Sequence, residues 1–240
     1  MHIGILETGR PPSEVSADFG TYPQIFARLL DGHGFTFSAW HVEGGEMPAS
    51  VHACDGWLIT GSRHGAYEDH AFIPPLEDFI RQAHGAHVPL VGVCFGHQII
   101  AQALGGRVEK FAGGWAVGAQ TYDFNGDTRR LNAWHQDQVT KAPEGARIVA
   151  TNPFCAIAAL RYGTHILTVQ AHPEFDRAIV RRLIDARGRG VISDTLLDAA
   201  ASAPDTDTGQ RQTFDEIAAL FRAHAPAAPS QTVQTRTAQG

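Results

Sequence analysis

Short apolar runs alternate along this chain with segments whose apolar residues recur at helical spacing. Residues 2–8 form an apolar run that stops at Gly9, Pro11 and Pro12, the pattern of a buried strand entering a loop. Ile25, Phe26, Leu29 and Leu30 recur every three to four positions, so 22–30 reads as a helix stopped by Gly32 and Gly34. Strand-like runs follow at 36–42, 56–60 and 89–93. Pro74 and Pro75 open a helix to about residue 83, with Leu76, Phe79 and Ile80 on one face. Another helix is expected over 98–104, closed by Gly105 and Gly106. Apolar strands that do not alternate with polar residues are covered on both faces. The pattern therefore predicts an α/β fold with a central, mainly parallel sheet flanked by helices.

From Arg107 to Leu160 the pattern changes. Short strand-like pieces, such as 119–124 and 147–150, are separated by Asn-Gly and Pro-Glu-Gly turns, which predicts an antiparallel section inserted in the α/β frame. Residues 166–170 return to a buried strand, 175–186 read as a helix, and 194–201 and 213–224 add helical material. Beyond Ala225 the chain has almost no large apolar residues, so a disordered tail is expected there. The organisation expected is one domain over 1–190, a helical C-terminal appendage over 191–224, and a tail over 225–240.

Composition narrows the function classes. With 43% hydrophobic and 18% charged residues the chain can bury a sizeable core. Its formal net charge of -6, without Lys/Arg clusters, argues against nucleic acid and anionic membrane partners. No apolar run reaches the ~18 residues of a membrane span, and the N-terminal residues lack a signal-peptide pattern. Three cysteines, Cys54, Cys94 and Cys155, are too few and too scattered for a disulfide framework or a structural zinc site and suit a reducing cytoplasm.

The segment Val91-Gly92-Val93-Cys94-Phe95-Gly96-His97-Gln98 carries the strongest chemical signal. An apolar strand ends at Val93 and a helix follows, so Cys94 sits on a tight strand-to-helix turn between two glycines. That is a nucleophile elbow with cysteine in place of serine. Backbone N–H groups at the helix start favour negative charge on the sulfur and on a developing oxyanion. The bland alternative is a small buried cysteine under the sheet. A nucleophile also needs a base and a group that orients the base. Gln170-Ala171-His172-Pro173-Glu174 supplies both: Pro173 keeps His172 extended, and residues two apart in an extended segment face the same way, so Glu174 reaches the imidazole.

These motifs resemble the signatures of class I glutamine amidotransferases, and Trp134-His135-Gln136-Asp137-Gln138-Val139 is similar to the stretch between them. The resemblance covers roughly Met1 to Ala186 and is nearest to free-standing members related to the glutaminase domain of GMP synthase, including γ-glutamyl peptidases. It implies a flavodoxin-like fold and hydrolysis of glutamine or another γ-glutamyl amide through a thioester on Cys94, with His172 moving protons and Glu174 orienting it. It further implies oxyanion donors from the backbones of Phe95, Ser62 and Gly61, and a glutamyl group held by Gln98, Gly114 and Trp115. The partners implied are a small γ-glutamyl substrate and an ammonia-accepting synthase subunit. This chain carries Gly61-Ser62-Arg63 where the synthases commonly have two glycines and a proline, and Ala171 where an aromatic residue is common.

Two rival readings stay open: a different cysteine-elbow hydrolase, and a non-catalytic or regulatory binding module of the same fold. His84 and His87, and His64 and His70 with Glu68 and Asp69, invite a metal reading. Solvated loop histidines are the favoured account of them, so neither a metal nor a cofactor is expected. Gly105-Gly106 and Gly113-Gly114 lack the context of a phosphate cradle.

Overall fold

The computed structural model of the chain describes residues 1–204 and 209–225; the tail expected beyond Ala225 lies outside the described residues. The first half is built from β1 (His2–Glu7), α1 (Ser13–Phe19), α2 (Tyr22–Leu29), β2 (Thr36–His41), β3 (Gly56–Ile59), α3 (Ile73–Gly85), β4 (Leu90–Val93) and α4 (Phe95–Ala103). Local chemistry sets several of these boundaries. Thr21 caps α2: its side-chain oxygen accepts from the Gln24 amide, and the Gln24 side chain accepts from the Thr21 amide. Pro74 and Pro75 occupy the first turn of α3, where a missing N–H is harmless.

The middle section holds β5 (Arg107–Lys110), β6 (Ala116–Phe124), β7 (Asp127–His135), β8 (Asp137–Lys141), β9 (Ala146–Ala150) and β10 (Ala159–Tyr162), before β11 (Ile166–Val169). β6 and β7 form a long antiparallel hairpin. Its two turn residues, Asn125 and Gly126, have φ of 53° and 92°, the paired positive values that match the turn to strand twist. β5 and β8 form a second antiparallel ribbon. The chain ends with α5 (Arg177–Leu183), α6 (Asp194–Ser202) and α7 (Gln210–Ala223).

The main sheet has the order β2-β1-β3-β4-β11-β10-β9. β2 through β11 run parallel, while β10 and β9 continue antiparallel at one edge. The parallel part thus has the flavodoxin-like strand order, with the carboxyl ends of β1, β3, β4 and β11 at one edge, where open α/β sheets place their sites. Two buried clusters cover the two faces. Ile3, Ile5, Leu58, Val91, Val93, Leu167 and Val169 face Phe26 and Ile179. Trp57, Ile59, Leu90 and Ile166 face Leu76, Phe79, Ile80, Ile99 and Ile100. Each such side chain, fully buried, contributes roughly 1.5–3 kcal/mol.

Residues 191–224, expected as an appendage, do not stand apart. Phe214, Ile217, Ala218, Leu220 and Phe221 of α7 belong to the first of these clusters. Glu216 bridges Arg129 on β7 and Arg161 on β10, at 2.8 and 2.6 Å. Other departures are local. α4 begins at Phe95 rather than Gln98, because Gly96 serves close packing inside the first turn instead of preceding it. α5 is short and passes into a π-turn at Ile184–Gly188. α1 was not foreseen because only Val15 of it is buried, which leaves no apolar periodicity. Among the described residues, no helix is long and apolar enough to cross a membrane.

Candidate active site

Cys94 lies between β4 and α4 with φ 52° and ψ -101°. A non-glycine residue held there stores of order ~1–3 kcal/mol of backbone strain, so the surroundings must impose it. The Cys94 amide donates to the Val169 carbonyl at 2.8 Å, which locks the elbow to β11. A Cβ on Gly96 would fall 2.3 Å from the Ile59 oxygen, and one on Gly92 would fall 2.5 Å from the Gly96 carbonyl. Only glycines let the start of α4 press onto β3 and β4 this closely. The Phe95 amide is the first of α4 and has no intrahelical acceptor to satisfy.

His172 follows β11. Its amide donates to the Asn132 carbonyl at 2.8 Å, and the Asn132 side chain donates to the Phe175 carbonyl at 2.7 Å. The imidazole lies flat on the Phe175 ring, with centroids 4.0 Å apart and 2° between planes. Its Nδ1 is 2.7 Å from Glu174 Oε1, and both side chains are buried. Burial alone would strip the proton from His172. The Glu174 carboxylate, and after it the Cys94 sulfur, outweigh burial and raise the imidazole to about 10. Gln210, at the start of α7, donates to the Pro173 carbonyl at 2.7 Å and braces the turn.

The loop after β3 closes the third side. Thr8 Oγ1 donates to the Thr60 carbonyl at 3.0 Å, and the Thr8 amide donates to Thr60 Oγ1 at 3.1 Å. A Cβ on Gly61 would stand 3.1 Å from His172 Cε1 and 3.9 Å from Cys94 Cβ, so Gly61 lies against both groups. Ser62 follows at the wall of the cleft. Gly9 packs beneath it, where a Cβ would meet the Ser62 Cα at 2.8 Å.

Cys94, His172, Ser62, Gln98, Trp115 and Trp134 line one cleft of about 460 Å³. Two of the expected contacts are rearranged. Gln98 spends its amide N–H groups on the Asp137 carbonyl, at 2.9 Å, and on Gln170 Oε1, at 3.1 Å. Gln170 in turn directs its own side-chain amide at the Cys94 sulfur, 3.6 Å away. Gly114 does not line the cleft; its φ of 90° turns the chain so that Trp115 does. Gln170 was missed by sequence reasoning, since a polar residue closing an apolar strand has no pattern of its own. Its place two residues before His172 was the available clue.

Other histidines divide by environment. His97 is fully buried, with Nδ1 2.7 Å from Thr168 Oγ1 and Nε2 3.2 Å from the Ile157 carbonyl; burial lowers it to about 3, so it is a neutral structural residue. His135 is also lowered to about 3, by burial and then by the charge on His172. His135 Nδ1 lies 3.2 Å from the Asp137 carbonyl, while Nε2 has no protein partner among the described residues, on a residue that lines the cleft. At the rim, His64, Glu68 and His70 are the side chains among the described residues whose mutual spacing suits a metal ion.

Comparison with known proteins agrees with this architecture. Residues 32–179 match the family model described as glutamine amidotransferase class-I. Gamma-glutamyl peptidase 4 of Arabidopsis thaliana is 27% identical over 92% of this chain and 96% of its own length. The glutamine-hydrolyzing GMP synthase of Chlorobaculum tepidum is 27% identical over 80% of this chain but only 38% of its own length. A glutamine amido transferase from Methylobacillus flagellatus shares the fold, with a TM-score of 0.70 at 21% identity over 92% of each chain. With more than half of its length matched, the chain belongs to the class I glutamine amidotransferase family.

Proposed function

We propose that the chain hydrolyses a γ-glutamyl amide bond through a thioester on Cys94. The observation that carries this is the strained elbow at Cys94, sealed by two glycines that cannot accept a Cβ, beside a buried imidazole paired at 2.7 Å with Glu174. The Cys94 thiol gives its proton to His172 as the sulfur attacks the γ-carbonyl carbon. The negative oxygen of the tetrahedral adduct is met by the backbone amides of Phe95 and of the Gly61-Ser62 loop. His172, protonated and held by Glu174, gives its proton to the departing amine as the C–N bond breaks. His172 then takes a proton from water, whose oxygen attacks the thioester. The C–S bond breaks as His172 returns the proton to the sulfur, and the γ-carboxylic acid leaves and loses its own proton to solvent. Gln98 acts through Gln170, and Trp115 walls the cleft.

The substrate we favour is a γ-glutamyl peptide or substituted amide, cleaved without a partner. A cleft of about 460 Å³ falls within the ~300–1,000 Å³ typical of pockets for drug-sized ligands, leaving room beyond glutamine for an amine carrying its own side chain. The near full-length similarity to a gamma-glutamyl peptidase supports the same reading. Similarity to GMP synthase favours a second one: glutamine as substrate, with ammonia passed to a synthase subunit. Steady-state kinetics on the purified chain separates them. Cleavage of γ-glutamyl dipeptides with kcat/KM well above that for glutamine supports the first. Glutamine turnover that appears only on adding a synthase subunit supports the second. An acid-quenched sample should carry a glutamyl acyl group on Cys94 by mass spectrometry, and a label elsewhere would overturn the thioester assignment.

A further inference from the structure

The segment after Ser62 brings together three side chains that the hydrolytic reaction does not use. His64, Glu68 and His70 each offer one ligand atom, and these atoms lie within 4.8 Å of one another. His70 Nε2 is 2.8 Å from Glu68 Oε2, and His64 Nδ1 is 3.7 Å from the same oxygen. The two imidazoles approach to 4.0 Å between centroids, with the Phe72 ring 5.8 Å from each. The other nitrogen of His64, Nε2, lies 2.9 Å from Glu43 Oε1, and Arg63 donates to that oxygen at 3.2 Å.

We propose that His64 Nδ1, Glu68 Oε2 and His70 Nε2 form a site for a divalent transition-metal ion of the zinc or cobalt class. Two imidazoles and one carboxylate suit such ions better than magnesium or calcium, which take oxygen ligands. Ligands about 2.0–2.2 Å from a tetrahedral ion stand roughly 3.3–3.5 Å apart. The observed 2.8 and 3.7 Å bracket that spacing, and the three ligand atoms lie within 4.8 Å of one another, so small side-chain rotations would bring them to an ion. Glu43 supplies a further element. A histidine that binds a metal through one nitrogen almost always gives the N–H of its other nitrogen to a carboxylate, a carbonyl or water, which fixes the tautomer. Glu43 occupies that place on His64, leaving the Nδ1 lone pair facing Glu68. Three protein ligands leave a position for water or a cleft ligand, and His64 and Glu68 both line the cleft. The His64 amide also donates to Ser62 Oγ at 3.2 Å, so an ion here would tie the rim to the residue at the cleft wall.

Cys94 with His172 is itself a potential metal trap, so the test uses the full chain carrying Cys94→Ala. Cobalt(II) is titrated and followed by visible absorption and by calorimetry. The expected result is one ion per chain, with ligand-field bands in the visible and no sulfur charge-transfer band. His70→Ala or Glu68→Gln in the same background should weaken binding at least tenfold; Glu68 is exposed and His70 half-buried on the Phe72 ring, so a thermal melt of each variant confirms its fold. Glu43→Gln should weaken it by about 10- to 100-fold, as outer-shell partners do. No saturable binding at micromolar cobalt or zinc would overturn the site. So would stoichiometric binding that His70→Ala and Glu68→Gln both leave unchanged. Neither result touches the thioester reading, which the Cys94 label tests separately.

Discussion

Replacing Gly96 by alanine tests whether close approach of α4 to β3 builds the elbow. The added Cβ would stand 2.3 Å from the Ile59 oxygen, 3.0 Å from its carbonyl carbon and 3.1 Å from its Cβ. Ordinary contact begins near 3.4 Å, so α4 must retreat by about 1 Å or β3 must bend. Neither is free: β3 is paired on both sides, and α4 is buried along almost its whole length. Overpacking of this kind costs about 1–3 kcal/mol. In a chain of this size that lowers Tm by roughly 2–12 °C. The larger effect falls on the reaction. A displacement of about 1 Å moves the Phe95 amide and the Cys94 sulfur relative to His172 and the Gly61-Ser62 loop, and misplacements of that size cost on the order of 100-fold in rate. The assay is kcat and KM on a γ-glutamyl substrate, with a thermal melt of the same sample. Gly85→Ala is the control, since a Cβ there meets open space near the end of a helix and should cost nothing. If Gly96→Ala kept its Tm and its kcat within twofold, the elbow would not depend on that contact.

Three further outcomes are expected. Cys94→Ala should lose turnover in a γ-glutamyl hydrolysis assay while its circular dichroism and melting stay near wild type; Cys54→Ala and Cys155→Ala should keep most activity, and the reverse pattern would move the nucleophile elsewhere. Glu174→Gln should reduce kcat less than His172→Ala, because a neutral amide still accepts the imidazole N–H whereas nothing replaces the proton carrier. The third concerns pH. The folded value of His172, raised to about 10, stands above its ordinary 6.5, so its protonation stabilises the fold fully below about 6.5, and that contribution fades as pH rises through about 10. The Tm advantage of wild type over Glu174→Gln should therefore be largest near pH 6 to 7 and shrink towards pH 10; an advantage that grew with pH would contradict the pairing.

The centre of the sheet was legible because β1, β3, β4 and β11 are mostly apolar, without alternation. The elbow was legible for a related reason: glycines two residues either side of a cysteine permit a tight strand-to-helix turn and weaken a regular strand or helix. What a local pattern lacks is the destination of a side chain. Phe214, Ile217, Ala218 and Phe221 announce an apolar helix face, yet nothing in their spacing says that it completes the main core. Gln98 lines the cleft, yet one of its side-chain hydrogen bonds runs to Gln170, across 72 positions that no periodicity connects. Glu43 meets His64 from 21 positions away, and His64, Glu68 and His70 lie between β3 and α3 in a segment that is neither helix nor strand. Polar constellations are made by tertiary structure, so sequence shows their members and not their meeting.

The bond from the Cys94 amide to the Val169 carbonyl bears on the order of events in folding. β4 and β11 are neighbours in the sheet, yet the entire antiparallel section lies between them along the chain. Gln170 and Cys94 themselves are 76 positions apart. Closing so long a loop is entropically unfavourable until the intervening strands have paired, and such non-local contacts form slowly. Before that closure the turn at Cys94 lacks its hydrogen bond to Val169. A refolding chain is therefore expected to complete the turn at Cys94 only once β4 and β11 have paired. Recovery of hydrolytic activity after dilution from denaturant should accordingly lag the return of helical circular dichroism, and simultaneous recovery would place the pairing of β4 with β11 early instead.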